Sequence, residues 1–557
     1  MAARTRWDAS ILALLGVSVV IKILLIPSYT STDFEVHRNW LAITHTLPKA
    51  QWYHEATSEW TLDYPPFFAY FEYALSYVAA KVNPQLVAIS ATPIFSDRIR
   101  LFQRLSVIVS DSVLFHAINE YCASWPSVTT TEMGYTAQKR WAIMLLTVLD
   151  AGLLYVDHIH FQYNGMLLGL LILSATKFRQ KKDLQGAALY AALLMFKHIY
   201  LYVAPLYFVY LLGHHCYTSA TKTPPPRRRS ISDIDEHETI QNFQDGNYAF
   251  SLTRFIRLGL LVLFVFGVAF GSVLLHHPDK VAGLMQIASR LFPIQRGLCH
   301  AYWAPNVWAL YAFLDKVLVV VFGLGGNTAG MALMSGGLVQ EASFAVLPAV
   351  PPLVCALATF VTMVPVLHTV WKYPDSSLFM SALIYCMMCS FMLGYHVHEK
   401  AILQVVLPLG LMAADSVHDM RLYRFASIVS NVSLFPLLFT VAEQPTKVLL
   451  AIIHGVVAYV ALDPLLKTSL KTRHIKATAV RMHVLEKLFL VALVACVVVA
   501  MAFPLIPRFG EKYAFLPLML FSVSCAVGNV YVWGTSLYLH FRKLAAVKSY
   551  LHGPKAQ

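Results

Sequence analysis

Apolar residues in this chain occur in repeated runs, many of them about as long as a bilayer crossing, which takes roughly 20 residues in a helix. These runs predict membrane-spanning helices, so the fold class we expect is an all-α polytopic membrane protein. Several runs are short or contain proline, which tilts or breaks a helix, so we expect about 12 to 14 crossings. The candidate spans are approximately 10–27, 99–119, 141–157, 165–179, 186–198, 200–213, 256–275, 305–322, 344–368, 377–393, 401–414, 425–441, 447–463, 485–503 and 515–539.

Two polar segments interrupt what is otherwise one transmembrane domain, 1–557. The first, 28–98, is long and polar-aromatic, and its apolar stretch Phe67–Ala80 is expected to lie along a membrane surface. The second, 217–251, is rich in proline, arginine and acidic residues and contains TKTPPPRRRSISDIDEHET. Composition of this second kind predicts a disordered loop.

The composition agrees with a membrane protein. The chain has 557 residues, of which 57% are hydrophobic and 13% charged, and its mean hydropathy is +0.58. A soluble protein carries about a quarter charged residues. The net charge of +13 lies largely in short clusters between apolar runs, which is typical of cytoplasmic loops. Nucleic-acid binding is the competing interpretation, but no soluble domain presents these clusters.

The first apolar run sets the predicted orientation. Arg4 and Arg6 precede it, Lys22 interrupts it, and it has no small-residue cleavage site. These features predict a retained first span with a cytoplasmic N-terminus rather than a signal peptide. The segment 28–98 then lies on the non-cytoplasmic face, and 217–251 is a cytoplasmic loop.

Ionisable residues beside or within spans are costly to place there and therefore indicate function. Four clusters stand out: Asp33, Glu35, His37 and Arg38 in STDFEVHRNW; Asp63 in LDYPP; DHIHFQYN at 157–164; and YHVHEK at 395–400. If 377–393 runs outward, the predicted spans bring all four clusters to one face. Such a collection of carboxylates, imidazoles and cations indicates catalysis or solute recognition.

Each cluster also has a purely structural explanation. Glu35 and Arg38 are three residues apart and can simply pair on a helix. Asp63 precedes Tyr-Pro-Pro and can cap a turn. One histidine of DHIHFQYN can be a packed, hydrogen-bonded residue. Glu399 and Lys400 can form an interfacial ion pair.

Other kinds of site fit the sequence less well. His158 with His160, and His396 with His398, form two H-x-H pairs that can ligate a metal, but no H-E-x-x-H or Cys/His array accompanies them. The C-x-x-C at 386–389 lies inside an apolar run, where packing is the favoured explanation. No G-x-S-x-G nucleophile elbow is present. A transporter is disfavoured because we find no inverted repeat and the polar clusters lie on one side of the membrane.

The motifs taken together are similar to those of a known family. Between residues 31 and 403 the chain contains, in order, STDFEVHRNW, LPKAQWY, LDYPPFFAYFEY, DHIHFQYNG, MFKHIYLYVAP, RLFPIQRGLCHAYWAPNVWALY and YHVHEKAIL. This series resembles the dolichyl-phosphate-glucose glucosyltransferases of lipid-linked oligosaccharide assembly. Two stretches resemble the branch that adds the second glucose: EATSEWTLDYPPFFAYFEY, and GLCHAYWAPN in place of an acidic GLFEDKVAN-like stretch.

The resemblance implies a GT-C glycosyltransferase fold, a bundle of transmembrane helices whose first lumenal loop, 28–98, carries the catalytic acid. The implied donor is dolichyl phosphate β-D-glucose, and the implied acceptor is Glc1Man9GlcNAc2 on dolichyl diphosphate. The first-step enzyme, which acts on the Man9GlcNAc2 precursor, is the alternative within the family. The implied location is the endoplasmic reticulum membrane, with the site facing the lumen. The expected α-1,3 product forms with inversion, and no cofactor is implied.

The resemblance also assigns roles to residues. The catalytic base is expected to be Asp33, the acid of the family's D-F/Y-E motif. A single inversion needs one base for the acceptor hydroxyl and no second nucleophilic carboxylate. The leaving phosphate needs charge stabilisation, for which His398, His396, Lys400 and Arg38 are candidates. We favour His398, because it holds the V-H-E-K position shared with the first-step enzyme.

Further polar residues are expected to bind substrate or support the site, and no metal is required. They are Glu35, Asp63, Asp157, His160, Gln162, Asn164, Arg296 and Glu399. Four aromatic residues of the first loop can stack on acceptor sugars or belong to the interfacial aromatic belt: Trp40, Trp52, Tyr53 and Trp60.

Overall fold

The computed structural model describes residues 9–125, 133–219, 248–292, 297–300, 303–323, 344–473, 482–503, 506 and 515–551. The structure is 79% helical. Within the described residues the strands form one two-stranded ribbon. The all-α polytopic class predicted from the sequence is therefore confirmed.

Helices follow the apolar runs closely. The α-helices are Ala9–Leu24, Thr32–Thr46, Pro66–Val82, Asp97–Ser110, Ser112–Ala123, Met133–Val148, Ala151–Leu153, Asn164–Arg179, Asp183–Phe196, Ala204–His215, Leu252–Leu274, Lys280–Leu291, Val307–Val321, Pro352–Lys372, Ser376–Leu393, Leu403–Met412, Val417–Ser433, Glu443–Arg473, Val484–Ala502 and Leu516–Leu551. The 3-10 turns are Lys49–Gln51, Pro84–Val87, His198–Val203, Glu399–Ile402 and Phe435–Leu437, and a π-helical turn covers Leu154–Phe161. Every candidate span therefore overlaps a helix.

Eight helical stretches of the described chain are long and apolar enough to cross a membrane. They differ greatly in burial: Gly134–Phe161 and Ser376–Leu393 are 89% buried, whereas Val484–Ala502 is 17% and Leu252–Leu274 only 11% buried. Apolar side chains left exposed on such helices face lipid. The first two spans therefore form the centre of the bundle, and the DHIHFQYN and YHVHEK motifs lie at their ends.

The central span Ser376–Leu393 is apolar on all sides, as its sequence SSLFMSALIYCMMCSFML predicts for a buried helix. All its residues except Ser377 are buried. Cys386 and Cys389 are free thiols inside it, and the Trp533 indole N–H lies 3.2 Å from the Cys389 sulfur. The C-x-x-C sequence thus packs a helix interface, as the sequence favoured.

The first loop, 28–98, is a folded unit. Its helices Thr32–Thr46 and Pro66–Val82 pack against each other. Between them, buried His37 Nδ1 lies 2.8 Å from Glu72 Oε1. The second helix begins at Tyr-Pro-Pro, where a proline at the first helical position suits a helix start. This packing fixes the helix that carries Asp33.

Most aromatic residues of this loop pack inside it. Trp40, Trp52 and Tyr53 are at most 2% exposed. Each of the three donates its polar hydrogen to a backbone carbonyl of the loop. These residues are core residues, so neither sugar stacking nor an interfacial belt describes them. Trp60 is partly exposed and remains a candidate for sugar contact.

The segment predicted to be disordered, 217–251, is ordered at its two ends. Tyr217–Ser219 pairs with Tyr248–Phe250 in an antiparallel ribbon, with Tyr217 opposite Phe250. The remainder, 220–247, lies outside the described residues, so the disorder prediction stays a prediction there.

Besides the helices of the first loop, the helix Lys280–Leu291 lies outside the candidate spans. It packs on the first loop, where Gln286 and Arg290 both donate to the carbonyl of Tyr53 at 2.9 and 3.1 Å. The predicted count of about 12 to 14 crossings stays a prediction, because three neighbouring segments lie outside the described residues. They are 293–296, 301–302 and 324–343.

Candidate active site

The DHIHFQYN segment leaves the central span Gly134–Phe161 through an irregular turn. Residues Leu154–Phe161, named the π-turn below, are π-helical, and the backbone of Phe161 has a φ of 99°. A bulky side chain in this conformation is strained, and π-helical turns are frequent at functional sites. Gln162 is extended and the next helix begins at Asn164, so the chain reverses direction here.

A buried guanidinium holds the π-turn in place. Arg104, 2% exposed, donates to the carbonyl oxygens of His158 at 2.8 Å, Ile159 at 2.6 Å and Tyr29 at 2.8 Å. Buried carbonyls need a partner, and the π-turn displaces them from regular helical ones. Sequence reasoning missed Arg104, because its partners are 54 to 75 residues away and no local pattern marks it.

Asp157 organises the start of the helix Asn164–Arg179. Its two oxygens accept hydrogen bonds from Asn164 Nδ2 at 2.9 Å and from the backbone N–H of Gly165 at 2.7 Å. A Cβ at Gly165 would lie 2.3 Å from an Asp111 carboxylate oxygen, so the close approach requires glycine. Asp157 is completely buried, which gives it a supporting place rather than a substrate-facing one.

His158 is the packed histidine of the DHIHFQYN motif. Its Nε2 lies 2.9 Å from Asp111 Oδ2, and Lys22 Nζ lies 2.6 Å from the same oxygen. All three side chains are almost completely buried. The lysine that interrupts the first apolar run is thus neutralised inside the bundle, as buried charges require.

Three side chains converge on one oxygen of Asp33. Lys400 Nζ lies 2.5 Å, Gln162 Nε2 2.6 Å and His160 Nε2 3.2 Å from Oδ2. Asp33 lies in the first turn of the helix Thr32–Thr46, and 20% of its side chain is exposed. All three contacts reach Oδ2, so Oδ1 is the oxygen that can receive a proton from a substrate.

The surroundings keep the Asp33 carboxylate charged. Burial by itself raises the pKa of a carboxyl group. Here the positive charge of Lys400 and the hydrogen bond with His160 outweigh burial, and the pKa of Asp33 lies well below its usual range. Asp33 is therefore ionised at physiological pH, and it can accept a proton as a substrate oxygen forms a new bond.

Tyr29 orients the ring of His160. The Tyr29 hydroxyl lies 2.8 Å from His160 Nδ1 and donates its hydrogen to the carbonyl of Leu437. The opposite ring nitrogen, Nε2, faces Lys400 at 3.3 Å and the Asp33 carboxylate.

The residues Tyr395–Lys400 are hydrogen-bonded to the segment 297–300. The backbone of His396 has a φ of 51°, and its N–H donates to the carbonyl of Leu298 at 3.1 Å. Its ring Nδ1 donates to the carbonyl of Gly297 at 2.6 Å. His396 thus joins two loops, and its predicted phosphate contact stays a prediction that only Nε2 can fulfil.

His398 packs against a histidine that sequence reasoning did not select. The rings of His398 and His300 have centroids 3.9 Å apart, and His300 Nδ1 lies 3.4 Å from buried Glu399. Burial and the neighbouring His300 and Lys400 place the pKa of His398 well below its usual range. His398 is therefore neutral at physiological pH and offers a hydrogen bond rather than a charge.

Within the described residues one group has the side chains of a metal site. The ligand atoms of His300, His398 and Glu399 lie within 4.8 Å of one another. Two imidazoles that share a zinc ion through bonds of ~2 Å have ring centroids about 5 Å apart. The rings of His300 and His398 are closer, at 3.9 Å, and tilted by 36°. The two rings therefore pack directly against each other at a tilt.

We expect prolonged dialysis against EDTA to leave the activity of the purified protein unchanged, because the packed rings of His300 and His398 need no ion between them. Activity before and after dialysis, with and without added Mn²⁺ or Zn²⁺, checks the point. A loss that one of these ions restores would show that the histidine group is a metal site.

Arg38 is used inside the first loop. It is fully buried, and it donates to Glu35 Oε1 at 2.8 Å and to the carbonyl of Ala88 at 2.6 Å. Glu35 also accepts from the backbone N–H of Ile94 at 3.2 Å. The structure therefore favours the structural pairing of Glu35 and Arg38 over the phosphate role predicted for Arg38.

The two remaining predicted site residues are Asp63 and Arg296. Asp63 is half-buried in the first loop before the helix Pro66–Val82, and its role stays a prediction. Arg296 lies outside the described residues.

Sequence reasoning missed one cation at this site. Lys197, in MFKHIYLYVAP, donates to Asn164 Oδ1 at 3.2 Å and to Gln162 Oε1 at 3.4 Å. Because the same Gln162 amide donates to Asp33, one side chain links the lysine to the carboxylate. A signal was present: this lysine lies between two apolar segments, the same feature that selected the other clusters.

Comparison with known proteins adds independent findings. A protein-family model described as the ALG6, ALG8 glycosyltransferase family matches residues 18–536. A Bos taurus protein named dolichyl pyrophosphate Glc1Man9GlcNAc2 alpha-1,3-glucosyltransferase is 44% identical over 532 residues, which cover 93% of each chain. A Mus musculus relative of the same name is 43% identical over 530 residues, covering 94% of each chain. The Arabidopsis thaliana relative, also of that name, is 41% identical over 527 residues, covering 93% of this chain and 95% of its own.

Proposed function

The chain belongs to the ALG6, ALG8 glycosyltransferase family, and we propose that it moves glucose from dolichyl phosphate β-D-glucose to Glc1Man9GlcNAc2 pyrophosphoryl dolichol. The enzyme is an α-1,3-glucosyltransferase of N-glycan precursor assembly, in keeping with the shared name of its relatives. We also propose three details of this reaction. They are the β-linked donor, the lumenal orientation of the site and the roles of individual residues.

The geometry of Asp33 carries the mechanistic part of this proposal. Its Oδ2 is held by Lys400, Gln162 and His160, which fixes the direction of Oδ1. A single base of fixed orientation is what an inverting transfer requires. Conversion of a β-linked donor to an α-linked product is one inversion at C1, so no second carboxylate nucleophile is needed.

In the proposed reaction, the 3-hydroxyl oxygen of the terminal glucose of the acceptor attacks C1 of the donor sugar. The C1–O bond to phosphate breaks, and its electron pair leaves with the dolichyl phosphate. The hydroxyl proton passes to Oδ1 of Asp33 as the new bond forms. Because the pKa of Asp33 is low, proton transfer is expected late, when the attacking oxygen has become strongly acidic.

The leaving group is a phosphate monoester, which needs stabilisation of its charge more than a proton. Neutral His398 can donate a hydrogen bond to a phosphate oxygen, and the His300 ring packs against the His398 ring. Lys400 contributes positive charge near Asp33 and balances the carboxylate while the donor is absent. No step requires a metal ion or another cofactor.

Two helices with one end at the site support the proposed orientation. Gly134–Phe161 begins near Lys139 and Arg140 and ends in the π-turn. Asn164–Arg179 begins at the site and ends with a basic last turn. Both helices therefore have a basic end and a site end, and basic ends of membrane helices favour the cytoplasm. This supports a site on the lumenal face of the endoplasmic reticulum membrane.

The proposal is tested with purified protein and separate acceptors. Dolichyl phosphate glucose is supplied with either Glc1Man9GlcNAc2 or Man9GlcNAc2 pyrophosphoryl dolichol, and the released glycans are analysed by mass and linkage. We expect one α-1,3-linked glucose to be added to Glc1Man9GlcNAc2 and none to Man9GlcNAc2, with dolichyl phosphate mannose inactive as donor.

Glucose on Man9GlcNAc2 would instead assign the chain to the first glucosylation step. Transfer from a different donor only would overturn the donor assignment. If folded protein gave no covalent product with any acceptor, the enzymatic proposal would fail, and uptake by vesicles would become the measurement of a transport function.

A further inference from the structure

Lys197 brings a positive charge to the site through neutral partners. Its Nζ contacts the amide oxygens of Asn164 at 3.2 Å and Gln162 at 3.4 Å, and it lies 5.1 Å from the centre of the Tyr64 ring. Amide oxygens and an aromatic face stabilise an ammonium ion without cancelling its charge. None of these described contacts is with a carboxylate.

The other cationic or imidazole groups described near the site are engaged differently. Lys400 lies 2.5 Å from Asp33 Oδ2, and Arg38 lies 2.6 Å from Glu35 Oε1. His398 is uncharged at physiological pH, as described above. Among the described residues around Asp33, Lys197 therefore carries a positive charge with neutral contacts, and unlike the buried guanidinium of Arg104 it is partly exposed.

We propose that Lys197 binds the phosphate of the lipid-linked sugar donor and stabilises the charge of that phosphate as it leaves. This inference rests on the proposed function, because it takes the donor to be a polyprenyl phosphate sugar. It makes Lys197 a catalytic residue in the sense of direct contact with the reacting phosphate. It also gives His398 the lesser role of an uncharged hydrogen-bond partner.

The position of Lys197 suits an inverting displacement. The Gln162 side chain donates to Asp33 through Nε2 and accepts from Lys197 through Oε1. The base and the ammonium group therefore lie at opposite ends of one amide. In an inverting transfer, the attacking oxygen and the leaving oxygen lie on opposite faces of C1. A sugar beside Gln162 can accordingly present its acceptor face to Asp33 and its phosphate to Lys197.

The protonation state of Lys197 agrees with this role. Burial and the charge of Lys400 lower the pKa of Lys197 to about 8. A bound phosphate would remove part of this penalty, because a nearby negative charge favours the ammonium form. During transfer Lys197 keeps its proton: the C1–O electron pair goes to the phosphate, and the acceptor proton goes to Asp33.

The first test is inhibition by dolichyl phosphate, the leaving group itself. Lys197→Met should weaken this inhibition and raise the KM for the donor, each by roughly 10- to 100-fold, the loss of one charge-assisted hydrogen bond. The KM for the oligosaccharide acceptor should be unchanged. Lys197→Arg keeps the charge and should retain most of the inhibition. Inhibition by dolichyl phosphate that is unchanged in folded Lys197→Met would overturn the proposal.

A matched control is Lys177→Met. Lys177 lies at the opposite end of the helix Asn164–Arg179 and pairs with Glu120 at 3.3 Å. Its substitution should leave the donor KM and the inhibition by dolichyl phosphate as in the native enzyme. Loss of inhibition in this control as well would show that removal of a positive charge far from Asp33 has the same effect, which also contradicts the proposal.

A measurement on the native enzyme does not depend on how a variant folds. Acetic anhydride should acetylate Lys197 readily at pH 8, because a lysine whose pKa is lowered to about 8 is roughly half neutral and nucleophilic there. Dolichyl phosphate should protect Lys197 but not Lys177, as read by peptide mass spectrometry. Absence of protection would overturn the proposal. If native enzyme transfers glucose from dolichyl phosphate glucose, such a failure concerns Lys197 alone, whereas absence of that transfer refutes the proposed function.

Discussion

Replacement of Asp33 by Asn is expected to lower kcat by roughly 10²- to 10⁴-fold, the usual contribution of a general base. Asn has the size of Asp and can still accept from Lys400 and Gln162, so the site should keep its shape. It cannot take the proton of the acceptor hydroxyl. The KM for the donor should change little. Initial rates at saturating donor and acceptor, with purified protein, provide the measurement.

The control for this substitution is Asp97→Asn. Asp97 also begins a helix, Asp97–Ser110, but its side chain is 85% exposed and pairs with Arg100. The control should keep native activity, since an exposed pair contributes little. If Asp33→Asn folds and retains activity near that of the native enzyme, another residue must serve as the base.

Replacement of Lys400 by Met is expected to move the acid limb of the kcat/KM profile to higher pH. In the native enzyme the low pKa of Asp33 keeps the carboxylate ionised down to strongly acidic pH, so this group does not limit activity near neutrality. Without the Lys400 charge, burial raises the pKa of Asp33 with less opposition, because the hydrogen bonds of His160 and Gln162 and the more distant charge of Lys197 remain. A larger fraction of the base is then protonated at a given pH. Loss of the charged hydrogen bond should also lower kcat/KM at pH 7 by roughly 10- to 100-fold.

Whether the acid limb moves distinguishes two roles for Lys400. If Lys400 acted only on the donor phosphate, Lys400→Met would raise the donor KM and leave the acid limb in place. Lys400→Arg keeps a positive charge and should leave the limb near its native position. Profiles measured between pH 4 and pH 8, in enzyme whose thermal unfolding shows it to be folded, separate these outcomes. An acid limb that stays fixed in Lys400→Met would contradict the role described here.

The sequence predicted the helical bundle well because its signal is local. A long run of apolar residues favours a helix in a membrane, because the helix satisfies its own backbone hydrogen bonds. Even the central helix Ser376–Leu393 could be recognised, since its sequence is apolar on all faces. Polar residues at the ends of such runs also identified Asp33, His160, Gln162 and Lys400, which the structure brings together.

The parts that could not be predicted depend on contacts between distant segments. The π-turn looks like the end of an ordinary helix in sequence, and it exists because Arg104 supplies hydrogens to its carbonyls. Glu72 reads as an ordinary polar position of a surface helix, yet it is buried against His37. Lys197 reads as a lysine at a membrane boundary, and only its contacts with Gln162 and Asn164 show that it reaches the site.

The pairing of Asp33 with Lys400 also bears on how the protein is made. The two residues are 367 positions apart, and Gln162 lies between them in the chain. During synthesis Asp33 emerges from the ribosome long before its partner, so a growing chain cannot contain the finished cluster. Catalytic competence should therefore appear abruptly, once the helix Ser376–Leu393 has been inserted by the translocation machinery. Chains arrested before that point would have Asp33 without the charge of Lys400, and a burial that raises its pKa would go unopposed by that charge.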